Sequence, residues 1–322
     1  MIWLPLTIMF AGLFTLVWSA DKFLSGAAAV ANNFGVSKML IGLTVVSIGT
    51  SAPEILVAIA ASLEGNPLLA VGNAVGSNIA NIGLVLGVTA IVAPLPFSQA
   101  VLMRELPWLL GVTVLCLVLL FDLALSLVDG LIMLATLGII IFRLAVNRGG
   151  TANALTATVA DELQDTAPVN SMRAFFWLFF GLVVLLISAE ILVWAATTIA
   201  DELGVSDIII GLTIVAIGTS LPELAATVGS AIKGHTDIAI GNIVGSNILN
   251  ILAVLSVPGL INPTQLENVS LWRDCGMMLA LTIMLGLFGY ARNSRPVITR
   301  FEGMVMLTAW IGYNILIIQQ VP

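Results

Sequence analysis

The chain has 322 residues, of which 59% are hydrophobic and only 9% are charged, and its formal net charge is −7. Soluble domains carry roughly 25% charged residues, so this composition excludes a water-soluble enzyme, a nucleic-acid-binding protein and a disordered chain. Apolar runs of about 20 residues follow one another with short polar joins, as in membrane-spanning helices, whereas a membrane barrel has alternating strands of roughly 10 residues. The composition therefore predicts a polytopic helical membrane protein.

Proline, glycine and charged clusters divide the chain into ten apolar segments, which we predict to be transmembrane helices. The first segment lacks the basic start of a secretory signal, so it is predicted to be a span. The predicted spans are 3–31, 38–62, 68–92, 101–121 and 126–146, followed by 172–200, 207–231, 236–260, 270–291 and 298–319. Residues 147–171 are the most polar stretch and are predicted to link two five-helix halves, 1–146 and 172–322.

The two halves are duplicates. Residues 42–88 align without a gap on residues 211–257, with 24 of 47 positions identical and a constant offset of 169. The same offset relates Gly35-Val36-Ser37 to Gly204-Val205-Ser206, so the duplication extends beyond this core. Because five spans per half is an odd number, the second half must enter the membrane with the opposite orientation, and inverted repeats are typical of secondary transporters.

The basic residues predict the orientation of the chain. If the joins alternate sides, one side collects every lysine and arginine except Arg273, which is the repeat image of Arg104. This asymmetry places the linker in the cytoplasm and both termini on the extracytoplasmic side of the cell (inner) membrane. The ten residues on the cytoplasmic side are Lys22, Lys38, Arg104, Arg143, Arg148, Arg173, Lys233, Arg292, Arg295 and Arg300.

Polar residues follow a helical spacing in the second and third spans of each half. Such faces must avoid lipid, so by packing together they would enclose a cavity lined with oxygen atoms. In the second spans these residues are Ser47, Thr50, Ser51 and Glu54, with the images Ala216, Thr219, Ser220 and Glu223. In the third spans they are Asn73, Ser77 and Asn81, with the images Asn242, Ser246 and Asn250.

Two features of these spans point to ion transport. Pro53 and Pro222 lack an N–H and so break the helices, which frees backbone carbonyls that only protein, water or an ion can satisfy at membrane depth. Glu54 and Glu223 lie at mid-membrane, where a carboxylate costs several kcal/mol and usually marks an ion or proton path. Carboxylate, amide and carbonyl oxygens are the ligands of hard cations such as Ca²⁺.

The cysteine and histidine residues suggest no other site. Cys116 and Cys275 fall in apolar stretches and are predicted to be buried as small hydrophobic side chains. His235 lies in a polar join with no second His or Cys nearby, which indicates a solvated loop residue and not a metal ligand.

The paired Gly-Thr-Ser-x-Pro-Glu segments at 49–54 and 218–223, each followed by Gly-Asn-x-x-Gly-Ser-Asn at 72–78 and 241–247, resemble the two alpha repeats of the sodium/calcium exchanger family. This family belongs to the cation/calcium antiporter superfamily. The chain resembles a prokaryotic member of this family. The resemblance implies ten helices in two inverted repeats, with the alpha motifs at 42–88 and 211–257. The linker is too short for the calcium-sensing domains of animal exchangers.

The resemblance also implies roles for particular residues. Calcium would be held by Glu54, Glu223, Thr50 and Thr219. Sodium sites would use Ser47, Thr50, Ser51, Glu54, Ser77 and Asn81 from the first half and Ala216, Thr219, Ser220, Glu223, Ser246 and Asn250 from the second, with Ser47 and Ala216 acting through backbone oxygens. Asn250 stands where several prokaryotic and potassium-dependent relatives carry Asp, and the missing titratable group weakens the case for potassium co-transport.

We therefore expect a secondary antiporter that exchanges Na⁺ for Ca²⁺ by alternating access to a site at the bilayer midplane. A Ca²⁺/H⁺ antiporter that uses the same two glutamates is the alternative, and a passive cation channel is a further class. An intramembrane enzyme is disfavoured because the chain has no His-Glu-x-x-His or Gly-x-Ser-x-Gly motif. We expect no cofactor, no nucleic acid and no obligatory protein partner, only inorganic cations and the lipid bilayer.

Overall fold

The computed structural model describes residues 3–33, 51–99, 101–146, 170–232, 236–268, 271–290 and 296–319. Within these ranges, eight helical stretches are long and apolar enough to cross a membrane, and Ala52–Leu63 is a shorter apolar helix. The prediction of a helical, multi-pass membrane protein is thus confirmed. The eight stretches are Trp3–Ala27, Pro67–Val92, Val101–Asp122, Ser171–Leu203, Asp207–Gly229, Ala239–Ile261, Trp272–Tyr290 and Arg300–Ile318.

The first half is built of helices that begin or break at proline and at polar residues. Pro67 lies in the first turn of its helix, where a backbone N–H has no partner within the helix, so the N–H that proline lacks is not needed there. The helices are α1 (Trp3–Asn33), α2 (Ala52–Leu63), α3 (Pro67–Ala80), α4 (Gly87–Val92), α5 (Leu106–Leu119) and α6 (Leu127–Val146). Two π-helical segments, Asn81–Leu86 and Val101–Glu105, and a 3-10 turn at Leu120–Asp122 join some of them.

The second half follows the same order. Asn170 caps the first of its helices by accepting a hydrogen bond from the Met172 backbone N–H at 3.0 Å, and Gly204 ends that helix with a φ of 65°. The helices are α7 (Ser171–Leu203), α8 (Asp207–Ile210), α9 (Ala216–Thr219), α10 (Leu221–Ile232), α11 (Thr236–Leu249), α12 (Ser256–Ile261), α13 (Gly276–Tyr290) and α14 (Arg300–Ile318). The π-helical segments are Gly211–Val215, Asn250–Val254 and Leu271–Cys275.

The long helices α1 and α7 pack against each other along their length in opposite directions. Asn33 at the end of α1 donates a hydrogen bond to Ser171 at the start of α7, at 3.2 Å. Further along, Ser188 donates to Thr15 at 3.1 Å. Residue numbers therefore decrease along α1 in the direction in which they increase along α7. The two helices, which are repeat images of each other, are antiparallel.

Two short antiparallel strand pairs join the ends of helices, and the sequence did not predict them. β1 (Leu95–Pro96) pairs with β4 (Val297–Ile298), with Leu95 opposite Ile298. β2 (Ala124–Leu125) pairs with β3 (Thr264–Gln265), with Ala124 opposite Gln265. Each pair therefore ties the loop after the third span of one half to the loop before the last span of the other.

The centre of the bundle is the third span of the first half. Every residue from Leu69 to Gly83 is buried, so this helix contacts protein on all sides. Cys116 and Cys275 are also buried, as predicted. His235 and most of the predicted linker, residues 147–169, lie outside the described residues.

Arg273, the basic residue that departs from the charge asymmetry, forms a buried cluster with Asp274 and Tyr313. The Arg273 Nη2 donates to Asp274 Oδ2 at 2.9 Å, and the Tyr313 hydroxyl donates to Asp274 Oδ1 at the same distance. Asp274 is 2% exposed and Tyr313 4% exposed. A buried carboxylate needs such partners because the loss of its hydration is costly. The cluster therefore fastens α14 to the start of the ninth span.

We expect Tyr313→Phe to lower the free energy of unfolding by about 1.5–3 kcal/mol, the usual contribution of a hydrogen bond to a charged group. Thermal unfolding in detergent, followed by intrinsic fluorescence, measures the effect. Tyr290→Phe is the control: Tyr290 is 52% exposed and donates to the carbonyl of Leu102, so its loss should be smaller. Equal stability of Tyr313→Phe and the unmodified protein would show that Arg273 alone satisfies Asp274.

Candidate functional site

Both helices that carry the predicted glutamates begin at a helix break, which is a residue whose backbone angles are not helical. α2 starts directly after Ser51, whose ψ of 7° is not helical. In the second half α9 ends at Thr219, Ser220 has a ψ of 0°, and α10 starts at Leu221. The breaks lie two residues before Pro53 and Pro222, at matching places of the two repeats. Ser47, Thr50 and Gly49 lie outside the described residues.

Glu54 and Glu223 occupy the first turns of these two helices and are each 1% exposed. Helix N-termini carry partial positive charge, which favours a carboxylate there. α2 contacts α9, the segment directly before the Ser220 break, so Glu54 and Glu223 lie on neighbouring parts of the bundle. None of their four carboxyl oxygens has a hydrogen-bond partner among the described residues.

A buried network of hydroxyl and amide groups surrounds Thr219. Its hydroxyl donates to Asn73 Oδ1 at 3.1 Å and lies 3.3 Å from the Ser77 hydroxyl. Thr219 also lies 3.4 Å from the carbonyl oxygen of Ala216, which accepts the Ser220 N–H at 3.1 Å. The central α3 is thereby joined to the break in the second half.

Asn81 and Asn250 are each the first residue of a π-helical segment. π-helical turns shift the register of the residues that follow and are frequent at functional sites. α2, which carries Glu54, packs against the segment that begins at Asn250, and α10, which carries Glu223, packs against the segment that begins at Asn81. The carboxylate helix of each half is thus next to the asparagine of the other half.

Ten buried side-chain oxygens at and around the site lack a hydrogen-bond partner among the described residues, as do the amide nitrogens of Asn73 and Asn250. Oxygens without a hydrogen-bond partner there belong to Ser51, Glu54, Asn78, Asn81, Ser220, Glu223, Thr227 and Asn250. Each unsatisfied buried polar group costs about 1–3 kcal/mol, and a charged group costs more. Oxygen ligands of this kind, with no thiolate or imidazole among them, fit Na⁺ or Ca²⁺. The arrangement can therefore hold hard cations within the membrane.

The predicted site residues that the structure describes all lie in the interior, and Thr219 and Ser77 are in direct contact. Besides the two glutamates, all of these residues except Ala216 have polar side chains, and all are buried: Ser51, Ser77, Asn81, Ala216, Thr219, Ser220, Ser246 and Asn250. The helix breakers Pro53 and Pro222 are buried and half-buried.

Sequence reasoning missed three residues near this site. Thr227 lies one helical turn after Glu223 and is buried with no partner for its hydroxyl among the described residues. The spacing of four residues between Glu223 and Thr227 could have identified Thr227. The first repeat has Ala58 at the matching position, so a comparison of the two repeats does not reveal it. Asn78 and Asn247 end the Gly-Asn-x-x-Gly-Ser-Asn motifs, and their hydrogen bonds depend on packing between the halves.

Comparison with known families gives a match over both halves. The family model described as "Sodium/calcium exchanger protein" matches residues 4–146 and again 173–319. The chain belongs to the sodium/calcium exchanger family. The exchanger is 43% identical to the putative antiporter CaxA of Alkalimonas amylolytica over 95% of this chain and 96% of the relative. It is 31% identical to the sodium/calcium exchanger MaX1 of Methanosarcina acetivorans over 98% of this chain and 99% of that protein.

Solved structures extend the likeness to the fold. The sodium-calcium exchanger NCX_Mj, soaked with Na⁺ and Sr²⁺, is 33% identical to this exchanger and superposes with a TM-score of 0.64 over all of both chains. The exchanger is accordingly a multi-pass membrane antiporter of inorganic cations, including Ca²⁺, and its family consists of transporters and not enzymes.

Proposed function

We propose that this protein exchanges Na⁺ for Ca²⁺ at one site formed by Glu54 and Glu223. The observation that carries the proposal is the pair of buried carboxylates at matching places of the two halves, whose oxygens lack hydrogen-bond partners among the described residues. Two ionised carboxylates in one low-dielectric site repel each other and lose their hydration. One Ca²⁺ neutralises both charges.

The same electrostatics couples the two ions. When Ca²⁺ leaves, two uncompensated negative charges remain, and reorientation in that state would carry them through the membrane interior. Sodium ions that occupy the surrounding oxygens restore neutrality, so the protein reorients loaded with either Ca²⁺ or Na⁺. Competition for one set of ligands therefore makes the carrier an exchanger and not a channel.

We assign the residue roles from the resemblance of the two motifs to the alpha repeats of the family. Thr219 and the matching Thr50 complete the calcium ligands around the glutamates. Sodium ions use the same groups together with the hydroxyls of Ser51 and Ser77 on one flank and of Ser220 and Ser246 on the other. Asn81 and Asn250 border the central site, and the carbonyls of Ser47 and Ala216 supply backbone oxygens.

Proton coupling is the second candidate, because the two carboxyl groups could themselves be protonated once Ca²⁺ has left. The hydroxyls of Ser51 and Ser220 have no hydrogen-bond partner within the described part of the chain, which favours sodium, since a proton on a glutamate needs no further oxygen ligands. The similarity to a relative described as a sodium/calcium exchanger supports the same choice.

We also propose that ten transmembrane helices form two inverted repeats, 1–146 and 172–322, joined by a cytoplasmic linker at 147–171. The antiparallel packing of α1 and α7 supports an in-plane axis between the halves. The two strand pairs support it as well, since β1 and β3 occupy the same place in their repeats. The distribution of basic residues favours extracytoplasmic termini in the cell (inner) membrane.

Calcium flux into proteoliposomes tests the proposed coupling. Vesicles loaded with sodium and diluted into sodium-free buffer should accumulate radioactive calcium at constant pH. Vesicles with a pH gradient and no sodium should accumulate none, and vesicles with neither gradient should only equilibrate. Accumulation driven by the pH gradient alone would establish the proton antiporter. Rapid equilibration without any gradient would indicate a channel.

A further inference from the structure

The buried face of α10 is a narrow stripe that continues past Glu223. Of the α10 side chains that the structure describes, the buried ones belong to Glu223, Thr227 and Ala231, at a spacing of four residues. Residues four apart on a helix lie one above the other on the same face. Thr227 is 1% exposed, so its hydroxyl lies inside the protein one turn beyond the carboxylate.

The Thr227 hydroxyl differs from other buried threonine hydroxyls on helices. Thr89, Thr113 and Thr282 are equally buried, and each donates a hydrogen bond to the carbonyl four residues earlier, at 2.7 or 2.8 Å. The Thr227 hydroxyl has no hydrogen-bond partner among the described residues. Because a bond to the preceding turn is the usual way for a helical threonine to satisfy its hydroxyl, the Thr227 oxygen is directed elsewhere.

The Glu223 carboxylate, one turn away, also lacks partners. Neither of its oxygens is hydrogen-bonded within the described part of the chain, although a threonine hydroxyl could donate to it. Side chains on a helix lean toward its N-terminus, so Thr227 leans back toward the turn of Glu223. Neighbouring oxygens that make no hydrogen bond to each other fit a shared hard cation.

Thr227 lies on the opposite side of Glu223 from Thr219, the proposed calcium ligand of this span. The proposed ligands of the span occupy positions 216–223, which come before the carboxylate or carry it. Thr227 follows by four residues, a rise of about 6 Å along the helix. Since a carboxylate has two oxygens and can contact a different cation with each, Thr227 extends the set of ligands toward the end of α10.

The surroundings of Thr227 favour a monovalent cation. α10 packs against the π-helical segment Asn81–Leu86 and against α4. Residues 81–92 carry no charge, and Asn81 contributes an amide Oδ1 that has no partner among the described residues. One carboxylate with neutral hydroxyl and amide oxygens balances the single charge of Na⁺, whereas Ca²⁺ needs both glutamates.

The two repeats differ at this point. Ala58 occupies the matching position in α2 and is 0% exposed. The hydroxyl one turn further along that helix belongs to Ser62 and donates to the carbonyl of Ala58 at 2.7 Å. An unpartnered hydroxyl one turn after the carboxylate is therefore a property of the second repeat. Since α2 forms with alanine there, a helix of this kind does not require the hydroxyl for folding.

We propose that Thr227 is a further sodium ligand, which holds one Na⁺ together with Glu223. The proposal rests on the exchange of Na⁺ for Ca²⁺ at the two glutamates. A sodium ion in this position uses a carboxylate oxygen that Ca²⁺ also needs, but it gains a hydroxyl that is not a calcium ligand. Thr227 thereby strengthens the competition of sodium against calcium.

Thr227→Val tests the proposal, because it replaces the hydroxyl with a methyl group of similar size. Sodium binding is measured from the rise in melting temperature of the purified protein as sodium chloride replaces choline chloride, without calcium. Half-saturating sodium should rise about five-fold, if a lost ligand is comparable with a lost neutral hydrogen bond. Without sodium the variant should melt at the same or a higher temperature, because an unsatisfied buried hydroxyl is removed.

Matched variants separate a ligand from a structural group. Thr227→Ser keeps the hydroxyl and should retain the sodium dependence of the unmodified protein. Thr89→Val removes a hydroxyl already bonded to the Val85 carbonyl and should leave half-saturating sodium unchanged. If Thr227→Val folds poorly, Thr227→Ala, which copies the first repeat, gives the same comparison. Unchanged half-saturating sodium in the variants without the hydroxyl, or an equal rise in Thr89→Val, would overturn the proposal.

Sodium-driven calcium uptake distinguishes this proposal from the proposed function. An unmodified protein that binds sodium but shows no sodium-driven uptake would contradict the exchange, while weaker sodium binding in Thr227→Val would still support the ligand. An unmodified protein with normal exchange, together with normal sodium binding in Thr227→Val, would contradict only the role of Thr227. An unmodified protein that sodium does not stabilise would contradict both.

Discussion

Glu54→Gln and Glu223→Gln should each abolish sodium-driven calcium uptake. Glutamine has nearly the same size as glutamate but cannot balance a divalent cation with a full charge. Removal of one partner from a buried charge pair costs about 3–5 kcal/mol, which corresponds to a loss of at least about 100-fold in calcium binding. Initial rates of radioactive calcium uptake, with calcium varied at a fixed sodium gradient, measure the effect.

The control for these variants is Glu64→Gln, the same substitution in the exposed residue that follows the C-terminal end of α2. It should leave uptake unchanged. Without calcium, the two site variants should also unfold at the same or a higher temperature than the unmodified protein, because each removes one of two repelling buried charges. Uptake retained in either site variant would contradict the assignment of the two carboxylates as the calcium site.

Gly76→Ala should lower both stability and transport, because α3 approaches the second half too closely for a side chain. A Cβ on Gly76 would lie 2.7 Å from the Leu212 backbone and from the Ala216 Cβ. Forcing such a contact typically costs about 1–3 kcal/mol. The displaced segment leads into Thr219 and Ser220, so we expect weaker calcium binding together with a lower melting temperature.

Gly111→Ala is the matched control for that change. Gly111 is exposed in the middle of α5, and a Cβ there would meet no described atom within 4 Å. Alanine is favoured over glycine in a helix by roughly 1 kcal/mol, so this variant should be as stable as the unmodified protein or slightly more so. A Gly76→Ala variant with normal stability and normal transport would show that the close approach is not required.

The sequence predicted the features that depend on local composition and on the repeat. The apolar runs predicted membrane-spanning helices, and eight such helices lie among the described residues. The duplicated motifs selected Glu54 and Glu223, which are both buried in the first turns of matching helices. The close approach of Gly72 and Gly76 in α3 to the segment around Leu212 is seen only in the structure. Scarce charge made these predictions possible, because an unpaired carboxylate within an apolar run has few explanations.

Features that depend on contacts between the halves could not be predicted in this way. The π-helical segments at Asn81 and Asn250 have no composition that separates them from α-helix, because tertiary packing and not propensity inserts the extra residue. The choice of Asn247 over Asn250 as the bonded amide is also invisible in nearly identical motifs.

Equilibrium binding of calcium to the purified protein at increasing sodium tests the central claim most directly. If both ions use the oxygens around Glu54 and Glu223, the apparent dissociation constant for calcium, measured by isothermal titration calorimetry in a choline-balanced buffer, should rise steadily with sodium concentration. Glu54→Gln should bind no calcium at any sodium concentration. A calcium affinity that is independent of sodium would contradict the shared site.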